Sequence, residues 1–409
     1  MLLNPQFRRE KLFGSCPGKY SSHLTARIAQ LVTNDSPEWQ LSVIVAGLKM
    51  TRFRRSLLLS CFLMLVVGAA AASLDAKSQI EAEIERLEQS AKSQPADDDY
   101  WKDLAVLVSS SLDRADKALR AGNLYLSLEE MGRARVLLDS FEYTKQSPEV
   151  LKQGLQGFEL AWRTVSRELA NSDREARKRI WKGKPAVLRA LAEAAQGKSL
   201  TLVEASRAYA TVTDPKAGYY YLGEARAQAE FARFCYSLEL PMQGAAFVGH
   251  SMRPQIERLQ EQINAAFVPP RSIERHRDFI LLNSTLKVAS ELDAAKLYAG
   301  ALYQYLSAVQ QLARLNAGSE TSASPQLQQG IAEARKRLST AKRDDSIAEL
   351  FLQRAEFLAG EKESDSLTKA AVIADQVLPA YYAAEKSAPM SGKKAANPVT
   401  VTLVRWPYT

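Results

Sequence analysis

Among the side chains that could carry chemistry, the histidines come to little. Beyond residue 72 the chain has His250 and His276, far apart and without a His-Glu-x-x-His or other ligand spacing. Metal sites need His, Cys, Asp or Glu at defined intervals, so no metal ligand set and no cofactor are expected. Nucleophilic catalysis needs an activated hydroxyl or thiol. No Gly-x-Ser-x-Gly occurs, and Cys235 falls on an apolar helical stripe, where a thiol packs as a core residue. No phosphate-cradling glycine loop occurs either. Carboxylates are plentiful, as in Glu129-Glu130 and Asp97-Asp98-Asp99. A carboxylate pair can hydrolyse a glycosidic bond, which would suit a helical exported enzyme acting on envelope glycan. Nothing in the spacing selects such a pair. The run at Asp97–Asp99 precedes Tyr100, where acids favour a helix start. No catalytic residue is therefore assigned.

Three features suggest binding instead. The run from Arg174 to Lys184 places Arg177, Arg179, Lys182 and Lys184 close together with Trp181 among them. Such clusters can hold phosphates or anionic headgroups, although Asp173 and Glu175 are near enough to make the run an ordinary solvated face. Tyr219, Tyr220 and Tyr221 are consecutive. On a helix they point about 100° apart, so packing all three needs a wide buried face; either all three pack in the core, or one of them lines a groove as a contact for peptide or sugar. Near the C-terminus, Val399, Val401, Leu403 and Arg405 alternate with Thr400, Thr402, Val404 and Trp406. This is the credible strand of the chain. A lone strand leaves its backbone unpaired, so Val401, Leu403, Arg405 and Trp406 are candidates for adding to another protein's sheet edge, or for packing back onto the helices.

These candidates sit behind an export signal. Met50 is followed by Thr51-Arg52-Phe53-Arg54-Arg55, an apolar run from Leu57 and the small residues Ala70-Ala71-Ala72. A basic start, a short apolar core and a small-residue end are the layout of a signal peptide. The apolar run is shorter than the roughly 20 residues of a spanning helix, so cleavage near Ala72 is expected; an uncleaved anchor would be the one route to a membrane. Residues 1–49 have no sustained period and read as an upstream extension ahead of the true start. The whole chain of 409 residues carries 54 basic and 46 acidic side chains, a net charge of +8. Removing the nine basic and three acidic residues of 1–72 leaves 45 against 43. A nucleic-acid partner loses its electrostatic support with that change. Cys16 and Cys61 leave too, so no internal disulfide remains. An exported domain of roughly 340 residues can bury a core without one.

The elements that would position these residues are helices. Trp101, Leu104, Val108, Leu112, Ala115 and Leu119 recur every three or four residues, as do Leu302, Tyr305, Leu306, Val309, Leu312 and Ala313. Prolines mark starts at Pro148, Pro185, Pro215, Pro254 and Pro325, while Pro379 interrupts an apolar run and predicts a kink. Roughly twelve to fourteen helices joined by short turns follow from this pattern. Helices are expected over 73–317 and 325–386, separated by a linker at 318–324 and followed by a flexible stretch at 387–398 and the strand at 399–409.

Three helix starts share a pattern: Ala121-Gly122, Ala217-Gly218 and Ala299-Gly300, each followed by tyrosines. The segment Gly122-Asn123-Leu124, then Ser127-Leu128, Met131 and Ala134, resembles the second half of a tetratricopeptide repeat. That family places glycine at the hairpin turn and small residues where helices touch. The Ala217 copy keeps Gly223 where the first has Ser127, whereas the Ala299 copy departs with Tyr305. The likeness covers about one helix in each of three places, without the regular spacing of about 34 residues. It implies an all-α helical-hairpin repeat, either an α-solenoid or an irregular bundle, with a short C-terminal β-strand. The expectation is an exported, non-catalytic scaffold that binds other proteins in the periplasm or at the surface of a bacterial cell. The alternatives are an enzyme or binding module for envelope glycan, and a membrane-anchored envelope protein.

Overall fold

The computed structural model describes residues 75–386 apart from 96–97, 146–151, 179–180, 182, 212–214, 243, 317–324 and 362. The signal segment, the linker at 318–324, the stretch at 387–398 and the strand at 399–409 lie outside the described residues.

The described chain is helical. Helices α1 (Ala76–Lys92), α2 (Asp99–Arg120) and α3 (Leu124–Lys145) come first. They are followed by α4 (Gly154–Arg177), α5 (Ala186–Tyr209) and α6 (Pro215–Ser237). Next come α7 (Arg253–Ala266), the single turn α8 (Arg271–Glu274), α9 (His276–Ala294) and α10 (Tyr298–Asn316). The last are α11 (Pro325–Ser339), α12 (Ser346–Glu361), α13 (Ser364–Val372) and α14 (Leu378–Lys386). Among the described residues there is no strand; Ala245 and Arg343 form an isolated parallel bridge.

Local chemistry explains the ends. Asp98 accepts a hydrogen bond from the Trp101 backbone N–H at 3.0 Å, so the acidic run caps α2 as expected. The α2–α3 turn closes with Asn123 N–H donating to Ala118 C=O, and Gly122 supplies the left-handed φ of 79°. The α9–α10 turn repeats this geometry, with Leu297 N–H donating to Leu292 C=O and Lys296 at φ 62°. Both are Schellman endings, which satisfy carbonyls that the helix leaves unpaired. Ahead of Pro379, where the sequence predicts a kink, the helix widens. Ile373–Val377 is a π-helical turn, with Leu378 N–H donating to Ile373 C=O. The wider turn makes room for the proline ring, which in an α-helix clashes with the carbonyl four residues back.

The first predicted stripe is buried, with Trp101, Leu104, Val108, Leu112, Ala115 and Leu119 all in the core; of the second, Leu302, Leu306 and Leu312 are buried and Tyr305, Val309 and Ala313 are partly so. Helix α2 packs on α3, α5 on α6 and α9 on α10, while α3–α6 and α5–α10 contacts join these pairs. Helix α12 then leans on both α3 and α5. A segment late in the sequence thus returns to the first hairpin, and one core cluster runs through these elements. A second cluster, including Phe158, Val165, Tyr219 and Leu222, lies under α4 to α6. Small residues mark close approaches. A methyl group at Gly132 would sit 2.4 Å from the Phe231 ring, and one at Gly223 would sit 2.9 Å from the Ser140 carbonyl.

Candidate functional site

The residues singled out from the sequence separate in the fold. Tyr219 is fully buried, edge-on to Phe158 with ring centroids 5.5 Å apart. Tyr221 is buried and stacks on Tyr209 at 4.3 Å, with the half-buried Tyr220 edge-on beside it at 5.9 Å. Two of the three tyrosines are therefore core residues, and none lines the large cavity described below. In the basic run, Lys184 donates to the backbone carbonyls of Tyr236 and Leu238 at 2.8 and 2.9 Å and pairs with Glu239 at 2.9 Å. That ammonium ties the α4–α5 connection to the end of α6. Arg179 and Lys182, the Arg177 side chain, and Val401, Leu403, Arg405 and Trp406 lie outside the described residues. Cys235 is buried, and burial pushes its thiol pKa well up. His250 bonds Ala384 C=O at 3.0 Å, and His276 is exposed. Among the described residues no group of His, Cys, Asp and Glu could hold a metal ion.

The feature that dominates the fold is a cavity of about 750 Å³. Residues from α2, α3, α5, α6, α9, α10, α12 and α13 line it. Its size is within the ordinary range of small-molecule sites, ~300–1,000 Å³. Two carboxylates that the sequence left unassigned, Glu129 and Glu130 of α3, line its wall, each 4% exposed.

Glu129 is held from three directions. Arg354 of α12 and the Tyr303 hydroxyl of α10 donate to it, and Arg133 donates at 3.2 Å. Glu130 accepts from Arg114 at 3.0 Å and from Arg133 at 2.9 Å. Burial works to raise the Glu129 pKa. The charges of Arg354 and Arg133 and the hydrogen bonds from Arg354 and Tyr303 outweigh it and hold the carboxyl at about 2. Burial first, then the adjacent Glu129 charge, drives the Tyr303 phenol upward. The pair is thus a fixed carboxylate beside a fixed phenol. A general acid working near neutral pH needs the opposite shift.

Other groups on the lining are unmatched. Lys198 of α5 makes no hydrogen bond; burial and then the Arg133 charge lower its pKa, while Glu224 and Glu129 draw it back from beyond ion-pair distance. The Gln304 amide nitrogen, on a residue 1% exposed, has no partner. Arg354 spends both terminal nitrogens on Glu129 and Gln310 but leaves Nε without an acceptor. Across the lining, Arg114, Arg133, Lys198, Arg314, Arg354 and Lys369 stand against Glu129, Glu130 and Glu361. The cavity is electropositive.

Caps from distant parts of the chain set the position of these helices. The first N–H groups of α5 are bonded by Asp344 (to Ala186, 2.5 Å), just ahead of α12, and Ser346 (to Val187, 3.0 Å), its first residue. Glu193 of α5 accepts from Gly300 N–H in the first turn of α10 at 2.8 Å. The Gln353 side chain of α12 accepts from Leu126 N–H of α3 at 3.2 Å. Free N–H groups at helix starts need such partners, and here the partners lock α3, α5, α10 and α12 around the cavity.

Sequence reasoning passed over Glu129 and Glu130. The available signal was their setting: two adjacent acids between Leu126, Leu128 and Met131 in a helix buried on most sides. Comparison with protein-family models, curated proteins and solved structures returned no match.

Proposed function

We propose that this chain is an exported, non-catalytic helical binding protein whose binding element is the cavity between α3, α5, α10 and α12. One observation carries the reading: the cavity is lined by more cationic than anionic side chains, and its Glu129 and Glu130 carboxylates are already bonded within the protein. Groups poised for catalysis have pKa values near the working pH. Glu129 at about 2 is far from it, which argues against an acid-catalysed attack on glycan. Among the described residues no helix is long and apolar enough to cross a membrane, so an anchored form would rest on the apolar run of 57–72. The helical pairs fit degenerate hairpin repeats of tetratricopeptide type, supported by the matching Schellman turns at Gly122 and Lys296 and by the close approach at Gly223. The candidate strand at Val399–Trp406 would add a protein-docking segment to the same scaffold.

Native mass spectrometry of the protein purified from the envelope fraction of expressing cells tests this reading. A bound small molecule, and thermal stabilisation by a small-molecule extract of that fraction, are expected. Retention in the cytoplasm overturns export. A ligand-free protein that no extract stabilises overturns the binding role.

A further inference from the structure

The unmatched donors specify their ligand, provided the cavity is a binding site as just proposed. All three groups are donors: the Lys198 ammonium, the Gln304 amide N–H and the Arg354 Nε–H. The Gln304 and Arg354 N–H groups have no protein acceptor but are closed off from solvent, whereas the half-buried Lys198 ammonium is open to the cavity it lines. Leaving a buried donor unsatisfied costs stability, more so for a charged group. Adding Glu or Asp here would have been the simple way to satisfy them, as the same cavity does for Arg114 and Arg133. A partner that only accepts, and that carries negative charge, suits the Lys198 ammonium and this cationic lining; carboxylate and phosphate oxygens do both. Neutral sugar hydroxyls bring donors of their own and leave the cationic surplus uncompensated.

The rim is different. Leu107 of α2 and Leu281 of α9 both line the cavity, yet they are 42% and 50% exposed, and Phe357 and Leu358 of α12 lie on the same lining. Apolar side chains at the border of a charged pocket suit a ligand with an apolar portion beyond its anionic group. We propose that the cavity binds an organic anion, its carboxylate or phosphate accepting hydrogen bonds from the Lys198 ammonium within the cationic lining and its apolar portion resting against Leu107 and Leu281. Arg314, exposed on the same lining, adds charge that attracts such an anion.

Calorimetric titration of the full chain with octanoate, octyl phosphate, octanol, acetate and inorganic phosphate tests this. Octanoate or octyl phosphate should bind with one-to-one stoichiometry at least tenfold more tightly than octanol and than either short anion. Preference between the two tells carboxylate from phosphate. Lys198→Met should weaken the preferred anion at least tenfold while raising the melting temperature of the empty protein. Arg314→Gln, at an exposed residue of the same lining, should weaken it with the melting temperature held, so loss of fold cannot mimic the result. Leu281→Ser should weaken the octyl compounds alone. Octanol binding as tightly as the anions, or indifference to Lys198→Met, overturns the anion assignment. Equal binding of short and octyl anions overturns the apolar portion. Failure of every anion while envelope extract still stabilises the protein overturns this inference and leaves the binding reading standing; failure of both removes both.

Discussion

Two walls of one cavity handle buried charge in opposite ways. Where α3 meets α12 and α10, Glu129, Glu130, Arg114, Arg133, Arg354 and Tyr303 form a bonded set in which each carboxylate has more than one donor. On the α5 and α10 side, Lys198 and the Gln304 amide N–H have no acceptor. The first arrangement holds the late helix α12 to the early helix α3, and its disruption should act on stability. The second holds nothing together. Its disruption should act on ligand binding and should relieve the fold.

The largest effect belongs to the bonded wall. Glu129→Leu leaves Arg354 buried without its carboxylate, while the exposed Arg133 keeps Glu130. Breaking one side of a buried ion pair typically costs about 3–5 kcal/mol, and urea unfolding should report a loss of that order. The double variant Glu129→Leu with Arg354→Leu should recover most of it, because no stranded charge remains. If the single and double variants are equally unstable, Glu129 acts through packing and the contrast between the walls is lost.

Acid should reproduce this loss without mutation. The Glu129 carboxyl lies at about 2 in the folded protein against an ordinary 4.5. Folding therefore favours its ionised form, and the contribution is complete above pH about 4.5 and disappears as pH falls towards 2. The difference corresponds to about 3 kcal/mol at neutral pH. A plot of unfolding free energy against pH should slope downward through that window, and the slope should flatten in Glu129→Leu. An unchanged slope would assign the acid sensitivity to other carboxylates.

How far the sequence reveals these walls depends on distance along the chain. The stripes of α2 and α10 are periodic within a single helix, so the helices and their buried faces are legible. Asp98 caps its own helix and is legible for the same reason. The bonds that build the cavity are not local: Glu129 with Arg354, Asp344 with Ala186, and Glu193 with Gly300 each join residues more than a hundred apart. No period or motif encodes such pairings. How Tyr219–Tyr221 divide was not legible because the face that takes up Tyr219 and Tyr221 comes from two other helices, through Phe158 of α4 and Tyr209 of α5. The π turn before Pro379 was hidden because a proline in an apolar run predicts a kink without showing how the backbone makes room for the ring, while Ile373 and Val377 stay in the core.

For the unmatched wall the expected sign reverses. Lys198→Met removes a half-buried ammonium that no group bonds and replaces it with an apolar chain of similar length. Exchanges of this kind commonly stabilise a protein by about 0.5–2 kcal/mol where the original residue serves function. Equilibrium unfolding in ligand-free buffer should therefore place the variant above the parent. A destabilised variant would mean that Lys198 supports the fold through Glu129 and Glu224, and the two walls would then be one network.

The smallest effect separates turn strain from cavity chemistry. Gly122 and Lys296 hold the same left-handed position in two Schellman turns, at φ 79° and 62°. A side chain there is strained by about 1–2 kcal/mol relative to glycine, less whatever glycine adds to the entropy of the unfolded chain, ~0.4–1 kcal/mol. Lys296→Gly should then stabilise by about 0.5–1 kcal/mol, and Gly122→Ala should destabilise by a similar amount. The Lys296 turn joins α9, which carries Leu281, to α10, which carries Gln304, yet Lys296 itself does not line the cavity. Anion affinity should be unchanged in Lys296→Gly. If affinity falls while stability rises, the α9–α10 turn tunes the spacing of the unmatched wall, and the site is more mobile than its bonded counterpart.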